Sequence, residues 1–193
     1  MNDEALFAQV MLGSHSALTE LAARYYVPLR AYIYRMLDGN LQEAEDLAQE
    51  TFLRLLRYQG KAPQNFRSWA YTVTRNLVYD RFRSALYRHE QIRTDEELTE
   101  DENSESAWFE MQMTVPAAEV QAFAHISAEA VRVKLQQLPV AQREVLIMRF
   151  YGEMKLEEIA QITCCPLGTV KSRLFKGLQH FKQLLAEVEY ESF

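Results

Sequence analysis

The sequence predicts an all-α protein: two small helical domains joined by an acidic linker, the second containing a helix-turn-helix. Three observations carry that expectation. Apolar residues recur at spacings of three and four through both ends of the chain, without an alternating pattern. Only 6 glycines and 5 prolines interrupt 193 residues, and Leu, Ala, Gln, Glu and Arg fill the periodic stretches, a composition that favours helices over strands. Charge, finally, is segregated. Residues 1–88 hold 11 Lys/Arg against 9 Asp/Glu, residues 89–130 hold 1 against 11, and residues 131–193 hold 9 against 7. The net charge of −6 therefore belongs to the middle. The expected organisation is a domain over 1–87, a linker over 88–127 and a domain over 128–193.

In the first domain, Leu18, Leu21, Ala22, Tyr25, Leu29, Tyr32, Ile33 and Met36 mark one helix face. Pro28 interrupts it and predicts a kink or a split. Asp38-Gly39-Asn40 is a stop and turn signal. EAEDLAQETFLRLLRY follows as a helix, with Ala44, Leu47, Ala48, Phe52, Leu55 and Leu56 expected inside. Gly60 to Pro63 breaks the chain, and FRSWAYTVTRNLVYDRFRSAL resumes with Phe66, Ala70, Val73 and Leu77 in register. RTDEELTEDENSES then has little to bury and like charges that repel, so it reads as solvated linker. WFEMQM, from Trp108, is a small apolar patch within it, and Pro116 is a candidate helix start.

The last domain begins near Ser127. Val131, Leu135 and Leu138 lead to the break at Pro139, and Val145, Leu146 and Met148 through Tyr151 form the next apolar element, ended by Gly152. KLEEIAQITCCPLGTVKSRLFKGLQHFKQLL then has the shape of a helix-turn-helix. A short helix carries Leu156, Ile159 and Ala160 inward; after a tight turn, Pro166 suits the first position of a long helix. There Leu167, Val170, Leu174, Leu178, Phe181 and Leu185 form an apolar stripe, with Thr169, Ser172, Arg173, Lys176 and Gln179 opposite. No acid occurs from Pro166 through Leu185. Hydroxyls and cations near a helix N-terminus are what a recognition helix presents to a major groove, where Lys and Arg neutralise phosphates and Arg can pair with guanine.

Other chemistries find little support. No phosphate-cradling Gly-rich loop, GxSxG or HExxH is present, so no catalytic site, cofactor or small-molecule substrate is expected. His15, His89, His125 and His180 are dispersed and lack a Cys or second His at metal spacing, so no metal is expected. No apolar run of about 18 residues predicts a spanning helix. The acidic N-terminus lacks the pattern of a signal peptide, and two cysteines do not make a disulfide framework. A cytoplasmic, non-enzymatic protein is expected. An autonomous helix-turn-helix regulator and a helical adaptor without nucleic acid remain as alternatives on these grounds.

Three motifs narrow the choice. LPVAQREVLIMRFYGEMKLEEIAQITCCPLGTVKSRLFKGL resembles the C-terminal domain of bacterial extracytoplasmic-function (ECF) sigma factors of the sigma-70 family. AEDLAQETFLRLLRY and FRSWAYTVTRNLVYDRFR resemble the N-terminal domain of the same family, in the right order. The resemblance covers the two ends and matches the acidic middle only by position. It implies an alternative sigma factor that binds core RNA polymerase through the β′ clamp helices and the β flap, recognises the −35 and −10 elements of promoter DNA, and helps open the −10 DNA. It also implies a cytoplasmic protein under the control of an anti-sigma factor, which in relatives is often membrane-anchored.

The resemblance assigns core-polymerase docking to Asp46, Gln49 and Glu50, with Phe52 packing inward. Glu43 and Glu45 are read as plain solvent-exposed acids. It assigns −10 opening and base capture to Trp69, Tyr71, Arg75, Asn76 and Arg83, chemistry that suits stacking aromatics, an amide and cations. Trp69 suits a core tryptophan equally well by its spacing, and Asp80 is expected to orient a neighbouring arginine. In the C-terminal domain −35 recognition falls to Thr169, Lys171, Ser172, Arg173, Phe175 and Lys176. Lys171 and Phe175 lie on the flanks of the helical wheel, and Phe175 also suits edge-of-core packing. Adjacent cysteines, with Cα atoms about 3.8 Å apart, are too close for an unstrained disulfide. By the family pattern Cys164 occupies a turn position usually held by Gly, and Cys165 the place of a small buried apolar residue.

Overall fold

In a computed structural model that describes residues 1–86 and 128–191, every regular element among the described residues is helical. The chain divides into two compact units. The acidic linker, WFEMQM and the Pro116 helix start lie outside the described residues, as do His89 and His125.

The first unit holds α1 (Asp3–Met11), α2 (His15–Met36), α3 (Leu41–Leu56) and α4 (Phe66–Leu86). Each N-terminus has a polar cap that satisfies a backbone donor otherwise without a partner. Asn2 Oδ1 accepts from Ala5 N–H at 2.9 Å, Ser14 Oγ from Ala17 at 3.3 Å, Asn40 Oδ1 from Glu43 at 3.1 Å, and Asn65 Oδ1 from Ser68 at 2.9 Å. The C-termini of α1 and α2 close by left-handed residues, Gly13 (φ +88) and Asp38 (φ +57). In both, the next residue's N–H reaches back five residues, Ser14 to Gln9 O at 3.0 Å and Gly39 to Tyr34 O at 2.9 Å, which is the Schellman arrangement.

Helix α1 is an element that the charge reading of the N-terminus passed over. Its signal is visible in retrospect: a capping Asn2, Asp3 and Glu4 in the first turn where they complement the helix dipole, then Leu6, Phe7 and Val10 on one buried face. Phe7 enters an aromatic cluster with Tyr58, Phe66 and Trp69, ring centroids 5.1–5.9 Å away. Glu4 Oε1 accepts from Phe66 N–H at 3.2 Å, so α1 also caps the start of α4. Pro28 neither ends nor divides α2. It sits on the exposed side, the carbonyl deprived of a donor belongs to exposed Arg24, and the face Leu21, Tyr25, Leu29, Tyr32, Ile33 and Met36 is buried around it. Burial at about 1.5–3 kcal/mol per large side chain outweighs the roughly 3 kcal/mol cost of an interior proline.

On α3, Ala44, Ala48 and Leu55 are buried as expected, but Leu56 is 51% exposed and Leu53 43% exposed. Neither contributes to the core, because residues 53 and 56 turn outward on the wheel with Asp46 and Gln49. Between α3 and α4, the buried hydroxyls of Thr51 and Thr74 lie 3.2 Å apart, one donating to the other or each to its own i−4 carbonyl, Leu47 O and Ala70 O.

The second unit contains α5 (Ala128–Gln136), α6 (Val140–Leu146), a π-helical turn (Ile147–Tyr151), most of α7 (Leu156–Thr163), and α8 (Leu167–Glu191). Pro139 starts α6 as the break predicts, and Leu135, Leu138, Val145, Leu146, Ile147, Met148, Val170, Leu174 and Leu185 are buried. The apolar run to Tyr151 is not all core: Phe150 is 57% and Tyr151 49% exposed. Widening from α to π register, with Gly152 N–H on Ile147 O at 3.0 Å, rotates the end of this run outward. Gly152 is forced there, since a Cβ would stand 2.6 Å from Met148 O. Gly177 on α8 lets that helix approach α6, where a Cβ would meet Gln142 Cβ at 3.2 Å and Leu146 Cδ1 at 3.3 Å.

Candidate nucleic-acid and protein-docking surfaces

Three helices, α3, α4 and α8, carry all the site residues expected from sequence. On α3, Asp46 and Gln49 are exposed and Glu50 is half-buried, its carboxylate 3.2 Å from Arg54 Nε one turn on. With 100° per residue these three share a face with Leu53 and Leu56. Leu56 was expected inside because it lies four residues from Phe52, and Leu53 carried no expectation; both are exposed. Glu43 and Glu45 are not idle acids. Glu45 binds Arg30 of α2 at 3.0 Å and Glu43 binds Arg81 of α4, so both brace α3 against its neighbours.

Helix α4 sorts its candidates by face. Asn76 and Arg83 are exposed and share one side with Trp69 and Asp80. Asp80 does hold an arginine: its Oδ1 accepts from Arg83 Nη1 at 3.3 Å. Arg75 lies beside that face, its guanidinium carbon 4.2 Å from the Tyr79 ring centroid, a cation–π geometry. Trp69 is half-buried in the aromatic cluster, 4.9 Å from Tyr58 and 5.1 Å from Phe7. Tyr71 corrects the expectation. It is 3% exposed and packs edge-on against Tyr32 at 5.6 Å, on the inner side of α4, about 140° round from Asn76. A stacking platform needs an open face; Tyr71 has none and belongs to the core.

The third surface is the turn and first three turns of α8. Cys164 adopts φ +55, the left-handed conformation expected of the glycine position, and Cys165 N–H reaches Ala160 O at 3.1 Å. This is again a Schellman closure, here with cysteine at the strained position. Cys164 is exposed, and the two cysteines are unbridged. Cys165 is half-buried rather than buried, and its sulfur accepts from Arg173 Nη1 at 3.2 Å. Helix α8 opens with Val170 N–H on Pro166 O at 3.1 Å, which makes Pro166 the capping residue rather than the first of the helix. Thr169, Lys171, Ser172, Arg173, Phe175 and Lys176 are each half-buried. Thr169, Ser172 and Lys176 stand opposite buried Val170 and Leu174; Arg173 lies on one flank, Lys171 and Phe175 on the other. Phe175 therefore combines an edge-of-core position with a partly open ring.

Among the described residues no group of three His, Cys, Asp or Glu could hold a metal ion, and no helix is long and apolar enough to cross a membrane. Burial, then the hydrogen bond to the Asp3 carboxylate, pushes the Tyr25 phenol well above its ordinary range.

Comparison with known proteins gives consistent matches at both ends of the chain. Residues 21–86 match the family described as Sigma-70 region 2, and residues 128–181 match Sigma-70, region 4. Over 159 residues the chain is 31% identical to the ECF RNA polymerase sigma factor EcfG of Rhodopseudomonas palustris (strain TIE-1), covering 81% of this chain and 78% of that protein. It is 29% identical over 185 residues to the ECF RNA polymerase sigma factor SigW of Bacillus subtilis (strain 168), covering 93% and 95%. Two solved structures share the fold. CnrH in complex with the cytosolic domain of CnrY gives a TM-score of 0.65 at 22% identity, over 96% of this chain and 97% of that one. The sigma factor RpoE in complex with the anti-sigma factor NepR from Bartonella quintana gives 0.64 at 20% identity, over 87% and 96%.

Proposed function

We propose, from the fact that this chain belongs to the extracytoplasmic-function RNA polymerase sigma factors of the sigma-70 family, a division of labour among its three surfaces. As a member it is an alternative sigma factor, a transcription initiation factor that works with core RNA polymerase on promoter DNA. The residue assignments are ours. The outward face of α3, Asp46, Gln49 and Glu50 with Leu53 and Leu56 at its C-terminal end, docks on the β′ clamp helices. Trp69, Arg75, Asn76 and Arg83 on α4 meet the −10 element, with Tyr71 supporting them from the core. Thr169, Lys171, Ser172, Arg173, Phe175 and Lys176 on α8 meet the −35 duplex, and the second unit also touches the β flap. The reading takes 1–87 and 128–193 as the two domains and 88–127 as the linker, which the family matches over 21–86 and 128–181 support.

The observation that carries this reading is the outward stripe of α3. Two leucines exposed beside two acids and an amide serve nothing inside the first unit, and a partner helix that covers them recovers their hydrophobic burial. Solvation alone accounts for acids on a surface but not for Leu53 and Leu56 together in the same stripe. The two solved neighbours are complexes with NepR and with the cytosolic domain of CnrY, which supports an anti-sigma partner for this chain too. A cytoplasmic, non-enzymatic protein, tied to a membrane only through such a partner, completes the reading.

Binding to purified core polymerase tests it. Asp46→Arg and Leu53→Glu, made separately in the full chain, are each expected to weaken core binding by about tenfold or more. Unchanged affinity for both variants, with the helical content intact, would remove α3 as the docking surface.

A further inference from the structure

We propose that Cys165, in the turn between α7 and α8, is a positioning residue for sequence readout: its sulfur holds the Arg173 guanidinium in the orientation in which Arg173 reads a base. The inference rests on the −35 recognition proposed above for Arg173, and deepens it by giving that residue contact with a base. Side chains on a helix lean toward its N-terminus, so Arg173, two turns into α8, reaches back over the turn rather than straight out. There Nη1 donates to Cys165 Sγ at 3.2 Å, and Nε is buried without a hydrogen-bond partner. These two constraints act on one rigid plane. Nη1 is thereby tied to the turn, while Nη2 makes no hydrogen bond among the described residues.

The chemistry suits pre-positioning rather than storage. A carboxylate at the same place would compete with guanine for the fork, whereas a thiol is a weak acceptor. It fixes the plane while leaving Nη1 a second hydrogen, and no bond holds Nη2 among the described residues. A guanine presents O6 and N7 as paired acceptors in the major groove, and two parallel N–H donors are what that edge takes. An unrestrained arginine would have to lose its rotamer freedom at the moment of binding. Here much of that freedom is already gone in the unbound protein. Serine in place of Cys165 keeps an acceptor of similar reach; valine keeps the apolar bulk and removes the acceptor.

The test is a double-mutant cycle on the full chain reconstituted with core polymerase. The probe is a pool of promoter duplexes randomised over the −35 element, scored position by position. Arg173→Ala is expected to relax preference at one base pair. Cys165→Val is expected to relax the same base pair by about two- to tenfold and to leave the other positions alone. Cys165→Ser should retain the preference, and Cys165→Val should add nothing once Arg173 is Ala. If Arg173→Ala relaxes a position and Cys165→Val does not, or if Cys165→Val weakens every sequence equally in both backgrounds, the cysteine serves only the turn and the inference is overturned. If Arg173→Ala relaxes no position, Arg173 is not the base reader, and the −35 assignment fails at its source.

Discussion

Cys164→Gly is expected to stabilise the helix-turn-helix, although it removes a side chain and adds nothing. At φ +55 a Cβ crowds the neighbouring carbonyl, and for an L-residue this costs roughly 1–2 kcal/mol. Glycine escapes that cost but loses more freedom on folding, which returns about 0.4–1 kcal/mol to the unfolded chain. The difference is a net gain of about 0.5–1 kcal/mol. The side chain is exposed, so little packing is lost with it. Cys164→Ala is the control: it removes the thiol but keeps the Cβ, and is expected within about 0.5 kcal/mol of the parent. Tryptophan fluorescence cannot report on this turn, because the tryptophan among the described residues, Trp69, lies in the first unit. Native-state hydrogen exchange at the amides of Val170 and Leu174 can. Protection should rise about two- to fivefold for Cys164→Gly and stay level for Cys164→Ala. Equal protection in all three proteins, or a loss in the glycine variant, would refute a strained Schellman turn at this position.

Two further outcomes concern the first unit. Phe7→Ala should destabilise it by about 3–5 kcal/mol, measured by urea unfolding, because the cavity opens inside the cluster of Tyr58, Phe66 and Trp69. The same variant should redshift Trp69 emission before unfolding begins. For Tyr25 the folded phenol keeps its proton to higher pH than the ordinary value of 10.0. The native state therefore binds more protons than the unfolded state above about pH 10, and stability conferred below that pH is lost as it rises further. Tyr25→Phe should flatten that fall, as read from the urea midpoint between pH 9 and 11.

The helical architecture was legible because it is written in local signals, apolar residues at three and four and a polar cap at each of the four starts in the first unit. What the sequence hid were decisions made by tertiary context. Pro28 is a strong local breaker, yet the buried residues on either side of it hold α2 together. Leu56 and Tyr71 sit one wheel position from the boundary between faces, and periodicity alone could not say which way each would turn. Phe150 and Tyr151 read as core from their place in the apolar run, and are surface where the chain widens to π. Glu43 and Glu45 found partners 38 and 15 residues distant, pairings that no local spacing reveals. The contact between Cys165 and Arg173 is of the same kind: the family pattern supplied the turn, and only the folded chain shows which side chain leans on it.

Initiation by core polymerase on a pool of promoter fragments, with and without the full-length chain, tests the central claim most directly. Expected are new transcripts that start downstream of a bipartite sequence at fixed spacing, that depend on this protein, and that vanish with Asp46→Arg. Transcripts unchanged by its addition, together with tight sequence-specific duplex binding in the absence of polymerase, would contradict it and describe an autonomous regulator instead.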